Sequence, residues 1–144
     1  MDIGYKEVKT ISEFIDAVRL RVEVFIVEMG FQPGWEPDEA DKESRHFIAI
    51  ADGKVVSTAR FREESSKKIK IERMATKKEY RGKGIGKELV KLMLKEIMKN
   101  KPKKIWATCY AESERFWEDC GFQTISKPYE RYGFKHVDME YQKK

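Results

Sequence analysis

The sequence EYRGKGIGKELVKLMLKEIMK spans residues 79–99 and places Gly82, Gly84 and Gly86 directly before a helical pattern. A glycine costs a helix roughly 1 kcal/mol relative to alanine, so three of them within five residues need a physical reason. The apolar residues that follow recur at helical spacing, at Ile85, Leu89, Leu92, Met93 and Ile97. Glycines let successive backbone amides point into one concavity, and the helix adds its positive N-terminal end. The joint therefore predicts an anion site that suits phosphate groups.

Two common nucleotide motifs do not fit this joint. A P-loop needs four residues between its first glycine and Gly-Lys-Ser/Thr, and GKGIGKE has neither that spacing nor the hydroxyl that binds magnesium. The dinucleotide pattern G-x-G-x-x-G fails because Lys87 stands where the third glycine belongs. The sequence thus disfavours both classes of nucleotide-binding protein.

The chain has the size and composition of one globular domain, which we expect over residues 1–144. Its mass of 17.0 kDa is enough for a single core, and 40% hydrophobic with 12% aromatic residues is too apolar for a disordered chain. The start MDIGYKEVKTISEF lacks the order of a signal peptide, and no run of about eighteen uncharged apolar residues occurs. We therefore expect a cytoplasmic protein with no membrane partner.

The charge pattern indicates little about partners. A net charge of +5 would suit an anionic partner, but lysines are mixed with glutamates along most of the chain. A nucleic-acid-binding protein is one alternative, yet nothing resembles an aromatic base-stacking motif, so we expect no nucleic acid. Cys109 and Cys120 lack metal-ligand spacing and would stay reduced in the cytoplasm, so we expect no disulfide and no metal.

The rest of the chain mixes helices and strands. Thr10 and Glu13 form a capping box before an amphipathic helix, with apolar positions at Ile11, Phe14, Ile15, Val18, Val22, Phe25 and Ile26. A long loop, MGFQPGWEPDEADKES, comes next. Strands are predicted for HFIAIA, KVVSTARFR, KIKIERMAT, KIWATC, FQTIS and KHVDMEYQ, and a helix for ESERFWEDC. This order predicts an α/β fold of the α+β type, with a mixed, mainly antiparallel central sheet flanked by helices.

Two motifs resemble those of a known family. RMATKKEYRGKGIGKELV is similar to the acyl-coenzyme A binding motif of the GNAT superfamily of N-acetyltransferases, whose signature Arg/Gln-x-x-Gly-x-Gly/Ala is met by Arg81, Gly84 and Gly86. SERFWEDCGF resembles the later motif of that family, with Ser113, Phe116, Gly121 and Phe122 in register. The resemblance covers nearly the whole chain, because the order of elements also matches.

A finer resemblance is to the ElaA-like branch of the superfamily. Its members carry Leu-Arg-x-x-Val-Phe, then an acidic loop that precedes a histidine, then Gly-x-x-His-x-x-Met. This chain has LRVEVF, EPDEADKESRH ending at His46, and GFKHVDM around His136. The resemblance implies transfer of an acetyl group from acetyl-CoA to an amine, and it does not identify the amine.

The resemblance also implies a coenzyme A site. The pyrophosphate would bind the backbone amides of the glycine-rich joint, with positive charge nearby, and the pantetheine arm would lie along the strand before it. An amide there, most simply that of Met74, could face the thioester oxygen. The residues expected to bind acetyl-CoA are Met74, Ala75, Thr76, Arg81, Gly82, Lys83, Gly84, Ile85, Gly86, Lys87, Ser113 and Phe116.

The attacking amine must be neutral, so a base is expected. Strand alternation predicts that Lys70, Glu72, Met74 and Thr76 share one face, and Glu72 is our candidate base. The alternative for Glu72 is an ion pair with Arg60, Arg62 or Lys70.

The leaving thiolate needs a proton. Many GNAT relatives use a tyrosine after the phenylalanine of the second motif, but this chain has Trp117 there, and indole does not release its proton at neutral pH. Tyr110 is our candidate acid, and His136 of the closing motif is a further catalytic candidate; solvent is one alternative, and a packing role for the Tyr110 ring is another. Cys109 is more simply a buried apolar residue.

Substrate residues are predicted from the branch motifs and the long loop. His46 and His136 could meet near the acceptor, where either could bind substrate or transfer a proton, and either could instead be a hydrogen-bonded structural residue. Glu36, Asp38, Glu39 and Asp41 could attract a cationic amine or form a solvated loop. Phe31 and Trp35 could line a substrate pocket or anchor the loop, and Arg21 of LRVEVF completes the predicted set.

We expect the partner to be a small-molecule or peptide amine, and a homodimer stays open. The rival function is a non-catalytic domain that senses acyl-CoA or binds a partner. The reason to retain it is Trp117, which replaces the proton-donating tyrosine of the second motif.

Overall fold

The computed structural model describes residues 2–143. The strands are β1 (Ile3–Glu7), β2 (Arg45–Ala51), β3 (Lys54–Ser65), β4 (Lys68–Thr76), β5 (Lys104–Tyr110), β6 (Phe122–Thr124), β7 (Tyr129–Arg131) and β8 (Phe134–Tyr141). The α-helices are α1 (Ile11–Arg21), α2 (Ile85–Met98) and α3 (Glu114–Asp119). A π-helical segment (Val22–Glu28) continues α1, and short 3-10 turns occupy Pro33–Trp35, Glu39–Glu43, Lys78–Tyr80 and Ala111–Ser113.

All eight strands belong to one sheet. Its order is β1-β2-β3-β4-β5-β8-β6, with β7 paired to β8. The β4–β5 pair is parallel and every other pair is antiparallel, which confirms the predicted mixed, mainly antiparallel sheet. The sequence patterns missed β1 and β7. None of the helices in residues 2–143 is long and apolar enough to cross a membrane.

The capping box predicted for the first helix is present. Thr10 Oγ1 accepts a hydrogen bond from the Glu13 amide at 3.1 Å, and the Glu13 carboxylate accepts one from the Thr10 amide at 3.1 Å. The helical pattern that runs on to Ile26 is also correct, but the hydrogen bonding changes after Arg21. The Met29 amide, for example, donates to the Val24 carbonyl at 3.0 Å, five residues back, as in a π-helix.

The two faces of the sheet bury separate cores. The core on the α2 side includes the helix residues Leu89, Val90, Met93 and Ile97, packed on Ile69, Ile71 and Ile105 of the central strands. The core on the α1 side is smaller and consists of Leu20, Val24, Phe25 and Ala75. Helix α2 connects the two parallel strands β4 and β5 across one face, because a parallel pair needs such a crossover.

A β-bulge interrupts β4. Glu72 pairs with Arg60 and Ala75 with Thr58, so two residues of β4 lie opposite one residue of β3. The bulge contains Arg73, whose φ of 57° lies in the left-handed region. Because of the extra residue, side chains after the bulge exchange faces.

The exchange of faces overturns one prediction. Glu72 points to the α1 side, where it binds Arg60, whereas Met74 packs on the α2 side against the main core. Ala75 then returns to the α1 side. The prediction that Lys70, Glu72, Met74 and Thr76 share one face is therefore wrong, since simple alternation does not continue through a bulge.

The long loop of residues 29–44 folds around Arg21, which is 1% exposed. The Arg21 guanidinium donates to the Glu36 carboxylate at 2.7 and 3.0 Å and to the Asp41 carboxylate at 2.8 and 2.9 Å. Arg60, also 1% exposed, binds the same Asp41 at 2.7 Å and Asp38 at 2.6 Å. We call Arg21, Arg60, Glu36, Asp38 and Asp41 the buried ion cluster.

We predict that Asp41→Asn destabilises the domain by about 3 to 5 kcal/mol, because it leaves two buried guanidinium groups short of their shared carboxylate. Urea unfolding measures this loss of free energy. Glu39→Gln is the matched control, since Glu39 lies in the same turn with a side chain 91% exposed, and we expect a change within about 0.5 kcal/mol. Equal effects of the two variants would contradict the role of Asp41.

We also predict a loss of stability in acid. Although burial raises the pKa of Glu72, hydrogen bonds from Arg62 and the charge of Arg60 lower it to about 2 from the ordinary 4.5. A carboxylate with a lowered pKa stabilises the fold above its unfolded pKa, and this contribution is lost as pH falls towards the folded value. From pH 5 to pH 3, Glu72 alone should account for about 2 kcal/mol. Urea midpoints across this range should fall less steeply for Glu72→Gln, and parallel curves would refute the assignment.

Candidate active site

A single cleft of about 560 Å³ brings the two ends of the predicted site together. It opens where β4 and β5 separate: Lys68 to Lys70 pair with Lys104 to Trp106, and beyond these residues the two strands are no longer paired. The predicted site residues that line the cleft are Phe31, Trp35, Glu72, Met74, Thr76, Arg81, Gly82, Gly84, Ile85, Gly86, Lys87, Tyr110, Ser113, Phe116 and His136. Ala75, Lys83, Arg21 and His46 are not among the lining residues.

The glycine-rich joint forms one end of the cleft. Gly82 and Gly84 have φ values of 76° and 79°, in the left-handed region that favours glycine, and nothing lies within 4 Å of where a Cβ would be on either. Gly84 caps α2, and its carbonyl accepts from the Glu88 amide at 3.1 Å. Amides in the first turn of a helix have no partner inside the helix. They are therefore available to an anion at this end of the cleft.

Gly86 has a different reason for being glycine. A Cβ at this position would lie 3.0 Å from Met74 Cε and 3.4 Å from two atoms of the Phe116 ring. The absence of a side chain thus lets the first turn of α2 pack against β4 and α3. Of the three glycines in the motif, this one serves close packing within the protein.

The cationic residues near the joint, Arg81, Lys83 and Lys87, differ in the contacts that their charged groups make. Both terminal nitrogens of Arg81 donate to the Glu28 carboxylate, at 2.6 and 2.7 Å, and its Nε donates to the Thr76 carbonyl at 2.8 Å. The Lys83 amine lies 5.6 Å from the centre of the Tyr80 ring. Lys87 lines the cleft. Glu28, on the π-helical segment, is the acidic partner of Arg81 that motif reasoning did not include.

Glu72 forms the ion pairs that were the alternative to its role as a base. Its carboxylate accepts from Arg62 at 2.7 and 3.2 Å and from Arg60 at 3.1 and 3.3 Å, and it lies 3.7 Å from the Lys70 amine. A carboxylate with a pKa of about 2 is a weak proton acceptor. Its assignment as base stays a prediction that this geometry does not favour.

His136 lines the same cleft and has a fixed orientation. Its Nδ1 lies 2.9 Å from the Phe134 carbonyl, which can only accept, so Nδ1 carries the proton. In the neutral tautomer with the proton on Nδ1, Nε2 is the nitrogen that can accept. The Tyr129 ring stacks at 6.0 Å and 22°, and the Tyr129 hydroxyl donates to Asp138 at 2.5 Å. His136 can therefore accept a proton at a defined atom.

Tyr110 lies beside His136. The two residues pair across β5 and β8, and their ring centres are 4.8 Å apart. Burial raises the pKa of Tyr110, so its hydroxyl stays protonated at neutral pH. A second ring, Phe134, packs edge-on at 5.5 Å. Tyr110 can thus donate a proton inside the cleft.

Trp117 of the second motif and Cys109 of β5 are part of the core. Trp117 is 6% exposed and packs edge-on against Phe122 at 5.0 Å, although it also borders the cleft. Cys109 is buried, and burial raises the pKa of its thiol well above the ordinary value. It therefore stays a neutral thiol, as the packing interpretation predicts. Cys109 and Cys120 are both free.

The prediction that the two histidines meet is wrong. His46 is on β2 and His136 is on β8, with β3, β4 and β5 between them in the sheet. His46 Nε2 lies 3.1 Å from the Asp41 carbonyl, and Phe14 packs edge-on at 4.9 Å. The structure therefore gives His46 the hydrogen-bonded structural role that was its alternative, next to the buried ion cluster that contains Arg21.

Sequence reasoning missed several residues that line the cleft. Arg73 lines the cleft because it lies in the bulge of β4, which no sequence pattern predicted. Arg131 and Tyr132 enter because β7 folds back on β8. The dipeptide Tyr132-Gly133, which joins the short strand β7 to β8, has positive φ at both residues, and a turn signal there would have been the cue.

Comparisons with known proteins agree with the geometry. The sequence model of the Acetyltransferase (GNAT) domain family matches residues 4–143. Protein ElaA of Escherichia coli is 23% identical over 142 residues, which is 96% of this chain and 92% of ElaA. Protein YyaT of Bacillus subtilis is 30% identical over 145 residues, covering 95% and 94%.

Solved structures show the same fold. The crystal structure of E. coli ElaA superposes with a TM-score of 0.87 at 22% identity, covering 98% of this chain and all of that one. An acyl-CoA N-acyltransferase from Pseudomonas aeruginosa superposes with a TM-score of 0.81 at 20% identity, covering 98% and 99%. The chain therefore belongs to the GNAT family of acetyltransferases, in the branch that contains ElaA.

Proposed function

We propose that this protein transfers an acetyl group from acetyl-CoA to a primary amine by direct attack in a ternary complex. The observation that carries the proposal is the continuous cleft from the glycine-rich joint to His136, along the edge of β4 that β5 leaves unpaired. The glycine-rich joint offers backbone amides to phosphates, and His136 and Tyr110 offer a proton acceptor and a proton donor. A substrate that joins a diphosphate to a reactive thioester through a long arm fits this arrangement.

The coenzyme would bind along β4. Its pyrophosphate takes the amides around Gly82 and Gly84, with Lys87 as a nearby positive charge. Its pantetheine arm takes the free edge of β4 from Met74 to Thr76, as an added strand would. Competition between the pyrophosphate and Glu28 for Arg81 accompanies binding, because the guanidinium already holds that carboxylate.

We place the base at His136 and the acid at Tyr110. An amine with an ordinary pKa of about 10.4 is almost fully protonated at pH 7, so it must lose a proton before it attacks the thioester carbon. The His136 Nε2 accepts that proton. When the C–S bond breaks, the Tyr110 hydroxyl protonates the leaving sulfur. Glu72 instead holds Arg60, Arg62 and Lys70 in place.

Direct attack is favoured over an acetyl-enzyme intermediate. The cysteine closest to the proposed acid, Cys109, is a buried thiol with a raised pKa, and a thiolate is the form that attacks a thioester. The general test is release of coenzyme A from acetyl-CoA with a broad panel of amines. Intersecting initial-rate lines support a ternary complex, and parallel lines refute it. Tight binding of acetyl-CoA without release on any amine would favour the non-catalytic sensor.

We predict that Gly84→Val raises the KM for acetyl-CoA at least about tenfold, because the side chain occupies the space next to the proposed phosphate amides. Gly53→Val is the matched control. Gly53 has a φ of 74°, also has open space at its Cβ position, and lies in the β2–β3 turn away from the cleft. Both variants carry similar backbone strain, so similar losses of stability are expected. An unchanged KM for acetyl-CoA in Gly84→Val would show that the coenzyme does not bind at the joint.

We predict that His136→Gln lowers kcat about 100-fold or more, while the KM for acetyl-CoA changes less than about threefold. The comparison is His46→Gln, at the other histidine of the chain, which lies outside the cleft. This second variant should lower thermal stability and leave kcat within about twofold of wild type. If the two variants lose the same amount of kcat, the proposed base is incorrect.

A further inference from the structure

The end of the cleft that would hold the acceptor has aromatic walls. Phe31 stacks on Trp35 at 4.7 Å with an angle of 11° between the rings. Tyr132 packs edge-on against Trp35 at 4.8 Å. All three line the cleft together with Tyr110. This wall suits an acceptor with an apolar body.

The charges at this end are mainly positive. Among the charged residues that line the cleft, Arg81, Lys87 and Asp119 belong to the glycine-rich joint, α2 and α3, and the others are Lys70, Glu72, Arg73 and Arg131. Glu72 is the single carboxylate of this group, and three cations already bind it. An acceptor that approached as a free cation would therefore find no available carboxylate here.

The acidic loop does not supply one either. Glu36 and Asp41 are buried and bound by Arg21, and Asp38 is bound by Arg60 and Arg73. Three of the four loop carboxylates are thus bound by arginines, and the fourth, Glu39, points to solvent and lies 3.2 Å from Lys42. For Glu36, Asp38 and Asp41 the buried ion cluster replaces the two sequence-based interpretations, whereas Glu39 is solvated, as one of them predicts.

Arg131 is a cation whose charge is not balanced in the same way. It forms no ion pair with any residue in 2–143, and its hydrogen bond is a long one of 3.4 Å to the Tyr132 hydroxyl. Its guanidinium lies 4.9 Å from the centre of the Tyr132 ring, at the exposed rim of the cleft. A guanidinium on an aromatic face keeps its planar edge free to bind a carboxylate with two hydrogen bonds.

The hairpin of β7 and β8 sets the distance from Arg131 to His136. Tyr129 pairs with His136 and Arg131 pairs with Phe134, so all four residues lie on the same face of the hairpin. Phe134, the cross-strand partner of Arg131, is two residues before His136 on β8, so the backbones of Arg131 and His136 are about 7 Å apart. A flexible arginine side chain can therefore reach an anionic group a few bonds from an amine held at His136.

Given the proposed function, on which this step rests, we propose that the acceptor is an amine with an apolar body and a carboxylate, and that Arg131 binds the carboxylate. An apolar amino acid and a short apolar peptide share this chemistry. The aromatic wall holds the apolar body, Arg131 holds the acid, and His136 faces the amine.

The test compares amines that share an apolar body and differ in whether they carry a carboxylate. L-phenylalanine, L-phenylalanine amide and phenethylamine share a ring and an amine, and only the first has a carboxylate. L-leucine with its amide and Phe-Phe with its amide extend the comparison to another side chain and to a peptide. We expect kcat/KM for the acids to exceed that for their amides by at least about tenfold. Preference for the dipeptide over the amino acids would identify the peptide as the source of the carboxylate.

Arg131→Gln should remove this preference. We expect kcat/KM for the acids to fall at least about tenfold and that for the amides to stay within about twofold, with Arg131→Lys in between. Arg19→Gln is the matched control, because Arg19 is an exposed arginine of α1 that does not line the cleft, and it should behave as wild type. A preference for acids that persists in Arg131→Gln would overturn the role of Arg131.

A binding measurement distinguishes a failure of this inference from a failure of the proposed function. Calorimetric titration of the same amines into the protein with coenzyme A needs no turnover. Stronger binding of the acids than of the amides, lost in Arg131→Gln, supports the inference. If no coenzyme A is released in the turnover assay, that result refutes acetyl transfer and leaves the inference standing. Turnover of the amides and phenethylamine as fast as the acids, with equal binding, overturns the inference and leaves acetyl transfer intact.

Discussion

The separation of β4 from β5 is the constraint on which the site depends. Two parallel strands that pair over three residues and then part leave one strand edge unpaired inside the protein. Unpaired backbone groups within a fold need another partner. The gap between the strands is the cleft, and the glycine-rich joint lines it because only a short 3-10 turn separates the joint from β4. Backbone geometry, more than any one side chain, thus decides where a substrate can lie.

The buried ion cluster has a structural and an electrostatic consequence. It ties the long loop to α1 and β3, and so holds Phe31 and Trp35 at the cleft. It also neutralises carboxylates that look available in the sequence. Breaking such a cluster is costly, because each buried charge would lose its partner. The wall of the cleft and the charge it presents are therefore coupled through Arg21 and Arg60.

Local patterns carried much of the prediction, and their failures have clear causes. The capping box at Thr10 and the start of α2 at Ile85 follow from interactions between residues close in sequence, and the order of helices and strands along the chain predicted the mixed sheet. The faces of β4 were assigned incorrectly because one inserted residue reverses the alternation. β7 was missed because three residues are too few to show a period. Arg131 and Tyr132 stayed outside the predicted site for that reason.

The sequence by itself determined the family, the phosphate-binding joint and the order of elements, because glycine spacing, helix capping and hydrophobic period are local properties of the chain. Only the tertiary structure decided which charges are free. Glu72, Asp41 and Arg21 look like site residues in one dimension, and folding pairs them with partners 10 to 20 positions away. The availability of a charge depends on its partners in space, which strand register and burial set. For the same reason His46 and His136, which look equivalent in sequence, have different surroundings in the fold.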